Sequence, residues 1–478
     1  MYDQQDIAAK EHPAVEPRDL HQTASLGDDE NGATHLSAKQ NQRLLLKTDL
    51  VVTPLIVLSM TLAFLDKNGL AYAAVYGLRE DNHLVGQDYS WVSSVFYFGY
   101  LAMEFPNLWL ITRLPIGKYI GGCLCLWGIA LCLMAVCHNF GGLATIRFFL
   151  GVFEAALLPC MLIVNSMWYC RAEQPIRTAF WYNTFAGYIF LIYGSITIGA
   201  GILVFFALPD SPKKAWFFNA EERKLVVVRL AENQTGVESR KKFRTAHIIE
   251  ALKDPKYWLI IACSFGYAIT NAGITNFNPL IISGYGFSKS KTVLMATPQA
   301  AVAMVSQAIL TAITFFIPNL RCVCWIISSL IGLAGAVMVH VLDVETQRDA
   351  SLAGVYIMGF YNVPWVFMLS LQSSNTGGAT KKSFIGISVA IIYAVGNIVG
   401  PQFYLSSQSP HYPLGIGSLM FGFALMAFSG IFYLVACLVE NKRRDHRYGP
   451  VLDNVARGME ADLRDETDGQ NHNFRYTF

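Results

Sequence analysis

The chain has 478 residues, of which 53% are hydrophobic and 15% charged, and its formal net charge is +2. A soluble domain carries about 25% charged residues, so the composition excludes a soluble globular protein, and the small net charge gives no support for nucleic-acid binding. Apolar runs of about 20 residues, each enough for one bilayer crossing, follow one another from Leu50 to Val439. We therefore predict an all-α polytopic protein that is integral to a lipid bilayer.

The polar N-terminal segment, residues 1–49, lacks the short apolar region of a signal peptide, and we predict that it is a cytoplasmic tail. The ten cysteines of the chain lie mostly inside apolar runs, without CxxC spacing or paired histidines. This pattern is typical of small buried side chains and predicts no metal site.

The next part, residues 50–208, is predicted to form an N-terminal helical bundle. Its predicted spans are 50–72, 90–111, 117–137, 141–168 and 178–208. Basic residues mark the cytoplasmic loops of membrane proteins. Arg113 and Lys118 follow the second span, and Arg171 and Arg177 follow the fourth, so these two loops are predicted to be cytoplasmic.

A polar and basic segment, residues 209–256, is predicted to be a central cytoplasmic loop. A C-terminal bundle of six helices, residues 257–439, follows with spans at 257–283, 292–317, 320–342, 351–373, 383–405 and 415–439. The last segment, residues 440–478, begins with basic residues, so both termini are predicted to be cytoplasmic. One loop, 284–291, carries two lysines and disagrees with this alternation.

Residues 178–208 conflict with the charge pattern. Both flanking segments are basic, so the chain should cross the bilayer twice here. As one helix these 31 residues reach about 46 Å, whereas two crossings with a turn need roughly 40 residues or more. The first half is therefore one span short, with eleven spans apparent where two matched six-helix halves require twelve.

Characteristic strings occur in order along both halves. They include LDKNGLAYAAVYGL (65–78), SSVFYFGYLAMEFPNLWL (93–110), RFFLGVFEAALLP (147–159), EALKDPKYW (250–258), NAGITNFNPLII (271–282), SSNTGGATKK (373–382) and YAVGNIVGPQ (393–402). Through these strings the chain resembles the fungal allantoate permease family, which belongs to the anion:cation symporters of the major facilitator superfamily.

The resemblance implies the two-bundle major facilitator fold and a transporter that is not an enzyme. It implies a monomer in the plasma membrane that takes up a small organic anion, such as allantoate, another ureide or nicotinate, by alternating access. A proton is the implied coupling ion, and no cofactor or catalytic residue is implied. Relative to the family, a loop and parts of two spans are absent between Phe190 and Gly194, which agrees with the missing span.

Ionisable residues inside the first bundle are candidates for substrate and proton binding, because charges within a bilayer are costly. Asp66 and Lys67 are adjacent and project about 100° apart on a helix. Arg147 and Glu154 are seven residues apart on one helical face. All four match the acid and cation positions of bacterial sugar-acid symporters in the wider family. The alternatives are snorkelling at a helix end for the first pair and a structural ion pair for the second.

Polar residues inside the second bundle are further candidates for substrate binding. Asn271, Asn276 and Asn278 precede Pro279, and this pattern predicts a broken helix that lines a cavity. The other candidates are Tyr361, Asn362 and Asn397. Hydrogen bonds between helices explain the same residues equally well.

Glu104 lies in the second span near the basic loop, and we predict a structural gate contact with Arg113 or Lys118. The rival hypothesis for the whole chain is a truncated family member that does not transport, a gene-model artefact, or a membrane protein that acts in interaction or sensing. The missing span supports this rival.

Overall fold

The computed structural model describes residues 38–169, 190–212, 215–231, 244–317, 319–449 and 466–478. Helices form the regular structure of these ranges, and no strand occurs in them. Eight helical segments in the described ranges are long and apolar enough to cross a membrane. The predicted all-α polytopic fold is therefore confirmed.

The helices of the first half coincide with the predicted spans. Their limits are Ala38–Tyr76 (α1), Asp88–Arg113 (α2), Ile116–Met134 (α3), Phe140–Glu154 (α4), Leu157–Trp168 (α5) and Phe190–Ala207 (α6). Only a short turn separates α4 from α5, so the two together correspond to the predicted fourth span. The first part of the predicted fifth span, residues 178–189, lies outside the described residues.

Two short helices of the central loop, Ala220–Ala231 (α7) and Thr245–Lys253 (α8), precede the second half. The helices of the second half are Pro255–Ser283 (α9), Lys289–Phe316 (α10), Arg321–Val341 (α11), Arg348–Ile357 (α12), Asn362–Asn375 (α13), Ala379–Val399 (α14) and Pro413–Tyr448 (α15). A 3₁₀ turn, Met358–Tyr361, joins α12 to α13. Since α15 continues past the predicted limit at residue 439, the first part of the predicted tail is helical.

The two halves share one orientation. Ser94, near the start of α2, donates a hydrogen bond to the carbonyl of Ile398, near the end of α14. These helices are therefore antiparallel, and the end of α2 lies at the same end of the molecule as the start of α14. We call this end, which carries Arg113, Lys118 and Lys381, the basic end, and the opposite one the far end.

Helix α6 occupies the place of a sixth crossing. In the second half, the third crossing α11 packs along the sixth, α15, and α15 also packs along the first, α9. In the first half, α3 packs along α6, and α6 also packs along α1. The fifth crossing of the second half, α14, has no counterpart in the described part of the first half. Helix α6 is one continuous helix and not a bent pair of half-helices, and the residues before it, 170–189, lie outside the described part of the chain.

The direction of α6 follows from a contact with α3 at the basic end. The backbone N–H of Gly117, at the start of α3, donates to a carboxylate oxygen of Asp210, just after α6, at 3.2 Å. Thus α6 runs antiparallel to α3 and ends at the basic end. The Tyr169 hydroxyl, after α5, lies 2.8 Å from that of Thr53 in the first part of α1, also at the basic end. Helix α5 therefore ends at the basic end, whereas α6 begins at the far end.

Helix α9 is continuous to Ser283, and the predicted break at Pro279 is wrong. Asp254 is the N-cap of this helix, and its side chain accepts a hydrogen bond from the N–H of Lys256 at 3.0 Å. Pro279 lies in the last turns, where little helix remains to be displaced. The carbonyl of Asn276, one turn before Pro279, accepts a hydrogen bond from the Tyr89 hydroxyl at 2.8 Å, which joins α9 to α2.

The break occurs instead in the fourth crossing of the second half. The 3₁₀ turn Met358–Tyr361 comes just before Pro364, which has no N–H to bond the carbonyl of Phe360. Gly359 in this turn packs so closely on α10 that an added Cβ would lie 2.6 Å from the carbonyl oxygen of Gln299. The irregular turn places Tyr361 and Asn362 beside α9.

Glycines bring α3 and α6 into backbone contact. A Cβ on Gly121 would lie 2.6 Å from the Cα of Phe205, and a Cβ on Gly201 would lie 2.7 Å from the backbone nitrogen of Cys125. Small residues matter at such an interface because lipid is as apolar as the side chains and provides no hydrophobic drive between helices.

We predict that Gly121→Ala destabilises the protein by about 1–3 kcal/mol, because the new methyl group forces the two backbones apart. Thermal unfolding in detergent should show a clearly lower midpoint. The adjacent Gly122 has open space around it, so Gly122→Ala is the matched control and should leave the midpoint unchanged or raise it. Equal midpoints for the two variants would show that α3 and α6 do not meet at Gly121.

Candidate functional site

The first half contributes a buried cation, Arg147. Helix α4 begins where the Asn139 side chain accepts a hydrogen bond from the N–H of Gly142 at 2.7 Å, and Arg147 follows two turns later. Its side chain is 4% exposed, and its guanidinium carbon lies 5.3 Å from the centre of the Phe96 ring on α2. In the described part of the chain, Nε of Arg147 has no hydrogen-bond partner. A buried, incompletely paired cation is costly, so this position favours an anion.

Glu154 ends α4 and is half-buried. The described coordinates give no ion pair between Arg147 and Glu154, so the structural ion pair considered from the sequence does not form in this arrangement. Asp66 and Lys67 lie in α1, and their side chains are outside the described part of the structure. Their predicted roles remain predictions.

The second half contributes stacked aromatic rings. The ring of Tyr267 on α9 is nearly parallel to those of Tyr361 and Trp365, at centroid distances of 5.8 and 4.4 Å. Tyr393 on α14 lies 6.0 Å from Tyr267 and 5.5 Å from Trp365. The fifth ring, Tyr97 on α2, meets Tyr393 edge-on at 6.0 Å and so joins the first half to this stack.

Amide groups lie among these rings. Asn271 Nδ2 donates to Asn397 Oδ1 at 2.9 Å and to the Tyr393 hydroxyl at 3.3 Å. The Tyr267 hydroxyl donates to Asn362 Oδ1 at 3.0 Å. Asn271 and Asn397 are both buried. We call the five rings and three asparagines the amide–aromatic cluster: Tyr97, Tyr267, Tyr361, Trp365, Tyr393, Asn271, Asn362 and Asn397.

A chain of rings connects Arg147 to the amide–aromatic cluster. Arg147 lies over Phe96, the Phe96 and Tyr97 rings are 5.0 Å apart, and Tyr97 contacts Tyr393. One half thus supplies a positive charge, and the other supplies flat apolar faces and hydrogen-bonding amides. This combination suits a small, flat anion that carries amide groups, because the rings pack on its faces and the amides pair with its edges.

Two of the predicted site residues lie elsewhere. Asn276 Nδ2 donates to the carbonyl of Ala272 within its own helix, and Asn278 donates to the side chain of Gln299 on α10. Of the three asparagines in this run, only Asn271 joins the cluster. The bond of Asn278 joins two helices, which is the alternative that the sequence left open, whereas the side chain of Asn276 bonds only within α9.

Four cluster residues were missed by the sequence analysis, namely Tyr97, Tyr267, Trp365 and Tyr393. A usable signal was present, because an aromatic residue precedes an asparagine by four positions on two helices: Tyr267 and Asn271 on α9, and Tyr393 and Asn397 on α14. Such spacing places each pair on one face of its helix.

The predicted gate contact of Glu104 is wrong. Glu104 is buried in α2, whereas Arg113 and Lys118 are exposed, and no ion pair joins Glu104 to either one. Arg113 lies instead over the Trp109 ring at 5.7 Å. The reason is that Glu104 is more than two turns from Arg113 on the same helix, too far for the side chains to meet.

Hydrogen bonds between the two halves occur at the far end. Tyr89 bonds the carbonyl of Asn276, Ser94 bonds that of Ile398, and Gln402 Nε2 donates to Ser94 Oγ at 3.0 Å. Further bonds join the adjoining loops, between Gln87 and Gln402, Ser406 and Gly86, and Lys289 and Tyr76. Within the described ranges, no hydrogen bond joins the two halves at the basic end.

Comparison with known proteins gives a consistent result. The model of the Major Facilitator Superfamily matches residues 56–401. The chain is 32% identical to the uncharacterized transporter C757.13 of Schizosaccharomyces pombe, across 92% of this chain and 88% of that protein. It is 30% identical to the allantoate permease of Saccharomyces cerevisiae, across 92% and 87%. A crystal structure of a D-xylose–proton symporter superposes with a TM-score of 0.59 at 11% identity, covering 80% of this chain and 96% of that one.

The alignments with these two relatives extend over 466 and 478 positions, although each covers only 92% of the chain. The relatives therefore contain residues that this chain lacks.

We predict that cysteines at Ser94 and Gln402 can be joined by a short bifunctional thiol reagent, because these two side chains touch at the far end. With a protease site inserted at residues 232–240, the joined halves should migrate as one band on a denaturing gel after cleavage. The control pair combines Gln402→Cys with Ser93→Cys, since Ser93 bonds the Tyr89 carbonyl within its own helix. Two separate bands for both pairs would contradict the far-end contact.

Proposed function

Since the chain belongs to the major facilitator superfamily of membrane transporters, we propose that it carries a small organic anion across the membrane together with a proton. The observation that carries this proposal is Arg147, a buried cation with a free Nε in the described part of the chain. An anionic substrate would supply the missing hydrogen bond and compensate the buried charge.

The amide–aromatic cluster supports a flat substrate with amide groups. Its asparagines offer both donors and acceptors, and its rings offer planar faces. The similarity to allantoate permease points in the same direction. We therefore propose allantoate and related ureides as the first substrates to test, and nicotinate as a flat anion that lacks the ureide group.

Proton coupling is proposed to involve Glu154, with Asp66 as a second acidic group of the first half. Glu154 and Arg147 lie on the same helix, seven residues apart. A substrate anion at Arg147 and a proton on one of these carboxylates would together add no net charge to the first half. Substrate and proton would then bind together, which is the requirement for symport.

We propose that the basic end faces the cytoplasm, as the positive-inside rule predicts, and that the protein resides in the plasma membrane. The hydrogen bonds at the far end would then hold the external side closed. During transport they would have to break, so that the site opens outward by a rocking motion of the two halves.

The second candidate is a family member that no longer transports and acts by interaction or sensing. Its support is the sequence of the first half, in which the apolar run 178–208 is too short for two crossings. Sequencing of the transcript across Phe190 and Leu191 tests a related explanation, because an additional apolar exon there would identify the short first half as a gene-model artefact.

Uptake of labelled allantoate and nicotinate by permease-deficient yeast expressing this chain tests the proposed function. Accumulation should be greater at acidic than at neutral external pH and should disappear when a protonophore is added. If the transcript matches the chain and no uptake occurs at any pH, the transport proposal fails and the second candidate is favoured.

For a substrate identified in this way, Arg147→Gln is expected to lower kcat/KM by at least about tenfold, because a charge-assisted hydrogen bond to the anion is lost. Arg113→Gln removes an exposed arginine from the neighbouring helix and is the matched control. Immunoblots of membrane fractions should show equal amounts of both variants. Equal loss of uptake in the two variants would exclude a specific role for Arg147.

Glu154→Gln is expected to abolish pH-driven accumulation while leaving exchange of labelled for unlabelled substrate partly intact. The reason is that exchange needs substrate binding and movement of the halves, but no net proton transfer. Vesicles loaded with substrate allow both rates to be measured on the same preparation. Unchanged accumulation would remove Glu154 from the coupling role.

A further inference from the structure

The last described residues, 466–478, pack against the basic end of the second half. They contact α8 of the central loop, the loop between α13 and α14, and the extended helix α15. We call these thirteen residues the C-terminal strap. Nothing in the sequence of this polar tail predicted such a contact.

One anchor of the strap is Asp468, whose side chain is 1% exposed. Its Oδ1 accepts hydrogen bonds from Lys381 Nζ at 2.7 Å and from the N–H of Gly377 at 3.2 Å, and its Oδ2 accepts from the Tyr476 hydroxyl at 2.7 Å. Burial alone raises the pKa of Asp468, but the Lys381 ammonium and the Tyr476 hydroxyl outweigh it and hold this pKa below its usual range. Asp468 is therefore ionised at neutral pH.

The second anchor is Tyr476. Lys256 Nζ lies 4.1 Å and the Arg444 guanidinium carbon 4.9 Å from the centre of its ring. Its hydroxyl accepts a hydrogen bond from Arg444 at 3.1 Å while donating to Asp468. A tyrosine thus satisfies two cations and one carboxylate of the site at once.

Two asparagines bind the strap backbone in a reciprocal manner. Asn441 Nδ2 donates to the carbonyl of Tyr476 and its Oδ1 accepts from the N–H of the same residue, both at 2.8 Å. Asn375 makes the same pair of bonds with Thr477, also at 2.8 Å. Pairing of backbone N–H and C=O groups with fixed partners is how proteins bind extended peptides.

We propose that the C-terminal strap is a detachable peptide ligand of this transporter, and that Asn375, Lys381, Asn441, Arg444 and Lys256 form its recognition surface. The occupant of the surface is the chain's own residues 466–478, with Asp468 and Tyr476 as the anchors. Covalent attachment gives this segment a high effective concentration at the surface.

The cations of the surface explain why the strap can leave. Each cation has an acidic partner outside the strap: Lys381 pairs with Glu250 at 3.0 Å, Lys256 with Asp254 at 3.0 Å, and Arg444 with Glu440 at 3.0 Å. Departure of the strap therefore leaves no cation without a counter-charge. Loss of the only partner of a buried charge is strongly destabilising. Here each cation keeps an acidic partner when the strap leaves, so release avoids that cost.

The position of the strap shows what its departure would change. Thr467 donates a hydrogen bond to Glu250 on α8 at 2.8 Å, and Asp468 binds the N–H of Gly377 between α13 and α14. A bound strap ties the central loop to the basic ends of α13 and α14. Its release would free these ends of the second half to move independently of the central loop.

Hydrogen–deuterium exchange of the full-length chain tests the proposal. Asp468→Asn should accelerate exchange of the strap amides, including those of Tyr476 and Thr477, by at least about tenfold, because a charged hydrogen bond is lost. Amides within α9 and α15 should keep their rates. Asp343→Asn, which makes the same change at the far end, is the matched control and should leave the strap protected.

A labelled peptide of residues 466–478 gives a second measurement. It should bind the full-length Asp468→Asn chain at least about tenfold more tightly than the wild-type chain, whose own strap occupies the surface. Adding Lys381→Met to Asp468→Asn should abolish this binding. Equal binding to all three chains would show a non-specific peptide and overturn the proposal.

Tyr476→Phe is a milder variant that keeps the ring and removes the hydroxyl. It should also raise exchange in the strap and leave α9 unchanged. If Asp468→Asn and Tyr476→Phe both raised exchange throughout α9 and α15, the strap would be an integral part of the fold and the proposal would be wrong. Unchanged strap exchange in both variants would equally overturn it.

Discussion

The backbone contact between α3 and α6 decides whether the first half is a bundle at all. Lipid offers no hydrophobic force that drives helices together, so their association depends on close packing and hydrogen bonds. Gly121 and Gly201 allow this close packing, and the bond between Gly117 and Asp210 fixes the direction of α6. Helix α6 then ends at the basic end, where α9 of the second half begins, and the two halves share one orientation.

The site follows from that shared orientation. The two halves bring different chemistry to it: Arg147 supplies charge from the first half, while the stacked rings and asparagines come from the second. They meet through Phe96 and Tyr97 on α2. The irregular turn before Pro364 places Tyr361 and Asn362 beside Tyr267. The Tyr361 ring stacks on that of Tyr267, and Asn362 accepts a hydrogen bond from the Tyr267 hydroxyl. The candidate site thus combines a cation from the first half with rings and amides from the second.

The apolar spans could be predicted from the sequence, because each depends on local apolar length. Tertiary details could not. Proline predicted a break in α9, but Pro279 lies near the end of its helix and a carbonyl beside it is bonded by Tyr89, whereas Pro364 lies early in α13 and does disturb its helix. Aromatic residues are common in spans, so only spacing on several helices together distinguishes the cluster. The strap depends on partners up to 217 positions away, such as Glu250 for Thr467, and no local pattern reveals them.

The contacts between the two halves involve two helices of the first half. Helix α2 bonds α14, the fifth crossing of the second half, and α1 packs along α9. Lys289, at the start of α10, also bonds the carbonyl of Tyr76 at the end of α1. The bonds of Tyr76, Tyr89 and Ser94 all lie at the far end, so this is where the proposed rocking motion would have to separate the halves.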